Sequence, residues 1–252
     1  MLAMLVAVSF IHAQQNPPNA WSQFRGPNGA AVAVGGQPLP TEIGPKQYVV
    51  WKTALPPGHS SPVVHGERIY LTAVDGKKLV TIALDRKTGK EVWRTEAPHQ
   101  GLEKVHKIGS QAQSTPVTDG ENIVVFFGSA GLFCYDRDGK ERWRVAMGPF
   151  KTEFGAAASP ILVDGRVILN QDYDSESSLT VFDVTTGKQI WKVDRAEFGV
   201  GYASPVIWTV AGKKQIVQAG TLRVVGYDFD TGKEIWTVRG MSRIINMTPT
   251  IG

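Results

Sequence analysis

A short phrase recurs four times in this chain, and in every copy a tryptophan stands four residues after a glycine. The copies run Asp85 to Trp93, Asp136 to Trp143, Asp183 to Trp191 and Asp228 to Trp236, with glycines at Gly89, Gly139, Gly187 and Gly232. Those glycines are 50, 48 and 45 residues apart. A second marker keeps the same beat: Ser-Pro or Thr-Pro places Pro62, Pro116, Pro160, Pro205 and Pro249 at intervals of 54, 44, 45 and 44. A repeat of this length has room for four short strands per unit, the build of a propeller blade.

The segments between the markers read as strands. Glu67 to Val74 is rich in β-branched and aromatic residues, and an Asp75-Gly76 turn follows it. Ile123 to Gly128 and Gly131 to Tyr135 repeat that order in the next unit. No sustained 3.6-residue apolar period with caps follows the first residues. The Asp-x-x-Thr-Gly run has a mechanical reading. An Asp opening a tight turn accepts backbone N–H bonds, and Gly supplies the positive φ that the hairpin needs. The tryptophan then packs against a neighbouring blade. Asp85, Gly89, Trp93, Asp136, Gly139, Trp143, Asp183, Gly187, Trp191, Asp228, Gly232 and Trp236 are therefore assigned to the scaffold. No metal or catalytic role is needed to explain their carboxylates.

Charge and cysteine usage narrow the function classes. The 27 basic and 23 acidic side chains leave a net +4, dispersed without a basic stripe, so nucleic-acid binding is not expected. Leu2 to Ile11 is an apolar run too short to span a bilayer. It reads as an export signal over residues 1–13, cleaved after Ala13, with a lead-in segment over 14–47 and the repeats over 48–252. A periplasmic or secreted protein without a membrane span is expected. Cys134 is alone, which excludes an internal disulfide, and it reads as an apolar filler of a buried strand. Gln14, not a cysteine, stands directly after the expected cleavage point, so no lipid anchor is expected.

These residues resemble the pyrroloquinoline-quinone (PQQ) repeat, the blade of quinoprotein-like β-propellers. The lead-in Trp21-Ser22-Gln23-Phe24-Arg25-Gly26-Pro27 is similar to that of exported bacterial PQQ-binding-like propellers. The resemblance implies an all-β fold: a β-propeller of four-stranded antiparallel blades. It leaves function open, because fold and activity are separable. One branch holds PQQ- and Ca²⁺-dependent dehydrogenases; another holds cofactor-free propellers similar to the outer-membrane assembly scaffold BamB.

The blade count gives an incomplete ring, with blades near 59–95, 112–146, 157–194 and 202–238. Tyr48 to Lys52 matches the last strand of a unit, and the partial strand 244–252 matches the first strand of a fifth. Family members close with more blades, so the count suggests a fragment of a longer protein. The alternative is an arc completed by a second copy.

The dehydrogenase branch needs several oxygen ligands for Ca²⁺, a catalytic carboxylate and cations for the quinone. No matching ligand set can be placed, and the adjacent cysteine pair of the alcohol-oxidising branch is absent. Asp172-Tyr173-Asp174-Ser175-Glu176 reads as a solvated loop, with a cation site as the alternative. Candidate contact residues fall instead in the inter-blade connections: His106, Lys107, Lys151, Arg195, Tyr202 and Arg243. Cations and aromatics gathered at one mouth suit a protein or peptide partner. The reading is an exported, non-enzymatic interaction scaffold without a cofactor, with envelope or outer-membrane protein assembly as its expected setting. Its alternative is part of a PQQ/Ca²⁺-dependent oxidoreductase whose active site lies largely beyond residue 252.

Overall fold

The structure is a computed structural model that describes residues 20–33, 38, 40–174 and 176–251. The export signal assigned to residues 1–13 lies outside them. Among the described residues sixteen strands form four separate antiparallel sheets, each in simple sequence order. Blade 1 is β1 (Val63–His65), β2 (Arg68–Asp75), β3 (Lys78–Asp85) and β4 (Glu91–Ala97). Blade 2 is β5 (Val117–Thr118), β6 (Ile123–Phe127), β7 (Gly131–Tyr135) and β8 (Glu141–Ala146). Blade 3 is β9 (Ile161–Val163), β10 (Arg166–Gln171), β11 (Ser178–Asp183) and β12 (Gln189–Asp194). Blade 4 is β13 (Val206–Val210), β14 (Lys213–Gly220), β15 (Arg223–Asp228) and β16 (Glu234–Arg239). The chain is an incomplete propeller of four such blades, and the described residues contain no α-helix.

Burial follows position in the blade. Both middle strands of blade 2, β6 and β7, are buried at every residue because a sheet packs on each face. The outer strands β4 and β12 alternate exposed and half-buried residues, since only one face has a neighbour. Apolar clusters fill the three spaces between consecutive blades. Each Å² of that apolar surface removed from water contributes about 25 cal/mol.

The repeated phrase builds the joints. Asp85 Oδ1 accepts the N–H groups of Lys87 and Thr88 and the Thr88 hydroxyl, and Asp183 and Asp228 repeat this in their own turns. Each glycine then lies beneath a tryptophan of the preceding unit: Trp51 on Gly89, Trp93 on Gly139, Trp143 on Gly187 and Trp191 on Gly232. The same indoles donate Nε1–H to the carbonyl one residue after the turn aspartate: Arg86 at 2.9 Å, Arg137 at 2.9 Å, Val184 at 2.8 Å and Phe229 at 3.3 Å. Trp236 departs from the expected pattern. It donates to Gln215 Oε1 at 2.6 Å within its own blade and packs on Gly226, so it fastens no neighbour here.

The Ser/Thr-Pro marker has its own role. Thr115 Oγ1 accepts the Ser61 N–H, Ser159 Oγ the Thr115 N–H, Ser204 Oγ the Ser159 N–H and Thr248 Oγ1 the Ser204 N–H. This belt links corresponding residues of successive units. Of the expected partial strands, residues 48–52 and the described part of 244–252, up to 251, form none, because neither segment has a ladder partner among the described residues. Their side chains Trp51 and Thr248 still make the contacts of their repeat positions.

Candidate interaction site

The antiparallel order separates two ends of each blade. The Asp-x-x-Thr-Gly turns lie at one end; the connections from each outer strand to the next blade lie at the other. The lead-in crosses the first strands of the blades. Trp21 exchanges two 2.8 Å backbone bonds with Val64 of β1, and the Ser22 carbonyl accepts the Thr118 N–H of β5. Asn28 bonds both backbone groups of Ile207 in β13, and Arg25 Nη1 donates to the Thr248 carbonyl. One segment therefore ties blades 1, 2 and 4 together and covers backbone groups that an inner edge strand leaves free.

At the loop end, where each blade connects to the next, four connections meet. The His106 N–H donates to the Glu153 carbonyl, and Tyr202 N–H donates to the Ile245 carbonyl. The rings of His106 and Phe154 are edge-on at 5.3 Å, and Phe154 and Tyr202 at 6.3 Å, so one aromatic row staples three successive connections. Gln113 Nε2 donates to the Phe154 carbonyl beneath it. Of the residues selected from sequence, His106 and Tyr202 belong to this row. Lys107, Lys151 and Arg243 are exposed beside it, together with Lys104 and with Ile108 at 65% exposure. Phe154, which the sequence also places in an inter-blade connection, is the central residue of the row. Its place in a connection beside Glu153 is a weak signal, since the contacts arise only when blades align.

Arg195 is a correction. It is 1% exposed and cannot meet a partner. Its Nε and Nη2 hold both oxygens of Asp172 at 2.8 Å, its Nη1 donates to the Tyr227 hydroxyl, and the guanidinium lies 3.7 Å from the Phe198 ring centre. Asp172 is equally buried, so the expected solvated acidic loop begins with a sealed ion pair; Asp174 and Glu176 are exposed. Cys134 is buried, and burial pushes its thiol up to about 12, which keeps it protonated and unreactive.

The cation site weighed for the acidic loop loses its first carboxylate. Calcium takes about six to eight oxygens, and both Asp172 oxygens are already held by Arg195. Among the described residues no three of His, Cys, Asp or Glu converge. Nor does any described helix have the length and apolarity to cross a membrane.

Blades stapled by tryptophan on glycine, opening on a Ser/Thr-Pro belt, define a propeller of the quinoprotein-like class. The chain belongs to the PQQ-repeat family described as outer membrane protein assembly factor BamB, whose model matches residues 28–145 and 81–243. A curated relative, the outer membrane protein assembly factor BamB of Burkholderia pseudomallei, is 26% identical over 193 residues, 74% of this chain and 44% of that protein. Among solved structures, quinohemoprotein alcohol dehydrogenase ADHIIG of Pseudomonas putida HK5 is similar with a TM-score of 0.58 at 16% identity, covering 93% of this chain and 42% of that one. The quinohemoprotein alcohol dehydrogenase of Comamonas testosteroni gives 0.52 at 16% identity, covering 75% and 36%. These two likenesses concern the fold. The chain spans less than half the length of each of these relatives.

Proposed function

We propose that this chain is an exported, non-enzymatic scaffold that docks a protein partner on its loop end during outer-membrane protein assembly. The observation that carries the reading is the stapled loop end: blade-anchored connections present Lys104, Lys107, Ile108 and Lys151 around an aromatic row. Loops held by a rigid scaffold are where propellers place recognition. Family membership supplies the assembly context.

The test is photo-crosslinking in cells from a reactive residue placed at Lys107 or Lys151, against one placed at Lys87 on the turn end. The reading expects adducts with an outer-membrane assembly component from the first two positions. Adducts confined to Lys87, or none from any position, contradict it.

A further inference from the structure

The connection over residues 98–116 carries a buried carboxylate whose charge nothing nearby balances. Glu103 is 4% exposed, and neither carboxylate oxygen has a hydrogen-bond partner. Its main chain is anchored well: the N–H donates to Ser129 Oγ at 2.9 Å, and the carbonyl accepts from Gln111 Nε2 at 3.1 Å. The carboxylate presses against blade 2 so closely that a Cβ at Gly128 would lie 2.7 Å from each oxygen. Ala156 faces it from the connection between blades 2 and 3. Tyr173 faces it from blade 3, with a buried hydroxyl that also lacks a partner. No charged side chain of the described residues supports or opposes it; Asp172, beyond Tyr173, is locked to Arg195.

We propose that Glu103 is a proton-binding latch: its protonated carboxyl lets this connection lie down on blades 2 and 3, and loss of the proton lifts it. A neutral carboxyl fits an interior without cations, and it has an O–H to donate. A carboxylate there lacks compensation, and the chain relieves it by letting the connection open to water. Burial pushes the carboxyl up to about 7; the nearby Ala156 N–H, short of full hydrogen-bond geometry, opposes the rise only weakly, so the exchange falls in the neutral range. The moving segment carries Lys104, His106, Lys107 and Ile108. The latch would thereby set how the loop end is presented; that consequence rests on the docking reading, whereas the latch itself does not.

Hydrogen exchange of the whole chain, read on peptides from residues 98–116 and corrected for intrinsic exchange, tests it. With a carboxyl near 7 when closed and near its ordinary value when open, the opening constant rises about tenfold between pH 6 and pH 8. Glu103→Gln should remove that rise. A pH-independent wild-type connection, or the same tenfold rise in Glu103→Gln, overturns the latch. Should the variant fail to fold, the wild-type carboxyl is titrated by carbon-13 NMR: a midpoint near 7 supports the latch and one between about 4 and 5 overturns it. A confirmed latch with partner adducts equal at both pH values removes the docking consequence alone.

Discussion

Replacing Gly187 by Ala isolates the tryptophan joint between blades 2 and 3. Gly187 has φ +69°, and a Cβ there would lie 2.6 Å from Trp143 Cε3 and 2.7 Å from Cδ2. Two costs combine. A left-handed alanine costs about 1–2 kcal/mol, and pushing an indole that is 9% exposed out of a packed joint costs about 1–3 kcal/mol more. Gly76 supplies the control: its φ is +63°, and a Cβ there meets nothing within 4 Å. Gly76→Ala carries the backbone cost alone. Equilibrium urea unfolding of both variants should give midpoints that differ by about 0.5–1 M, the Gly187 variant unfolding first. The contact also makes Gly187→Ala and Trp143→Ala non-additive, because without the indole the new methyl has nothing to strike. Equal midpoints for the two glycine variants, or full additivity in the cycle, would refute the stacking account.

Three other outcomes are expected. Between about 4.5 and 7 the folded chain keeps the Glu103 proton that the unfolded chain has released, so stability falls as pH rises through that window. The fall is about 3 kcal/mol at most, and Glu103→Gln should flatten melting temperature against pH there. Asp172→Asn leaves the Arg195 guanidinium buried and uncompensated, at a cost of about 3–5 kcal/mol in chemical unfolding; pairing Asp172→Leu with Arg195→Met should recover most of it. Titration with PQQ and Ca²⁺ should show no saturable absorbance change, and a stoichiometric complex would reopen the quinoprotein reading.

What the sequence discloses here divides by the range of the interaction. The Asp-x-x-Thr-Gly turn is legible because its hydrogen bonds close within four residues of the aspartate. Its repetition then fixes the blade, and a tryptophan at constant offset marks the joint. Trp236 carries the same offset, yet it turns back to Gln215, since the joint needs a neighbouring turn and none is described. Arg195 looks like a loop cation in sequence. Its partner lies 23 residues away, across a connection, and only the blade alignment of β10 and β12 brings them together. Nothing local marked Asp172 either, since it follows the polar pair Asn170-Gln171 that ends β10. Glu103 stands in sequence as a polar residue of the longest connection; its burial gave no signal, because that burial is made by Gly128 in the β6–β7 turn and Ala156 in the next connection.

Docking on the loop end is tested most directly by affinity capture from envelope extracts with charge reversals on opposite ends. Lys107→Glu with Lys151→Glu should lower recovery of an outer-membrane assembly partner at least tenfold, while Lys87→Glu leaves it at the wild-type level. Equal recovery with all three proteins, or loss with Lys87→Glu alone, would contradict the assignment of the loop end as the docking face.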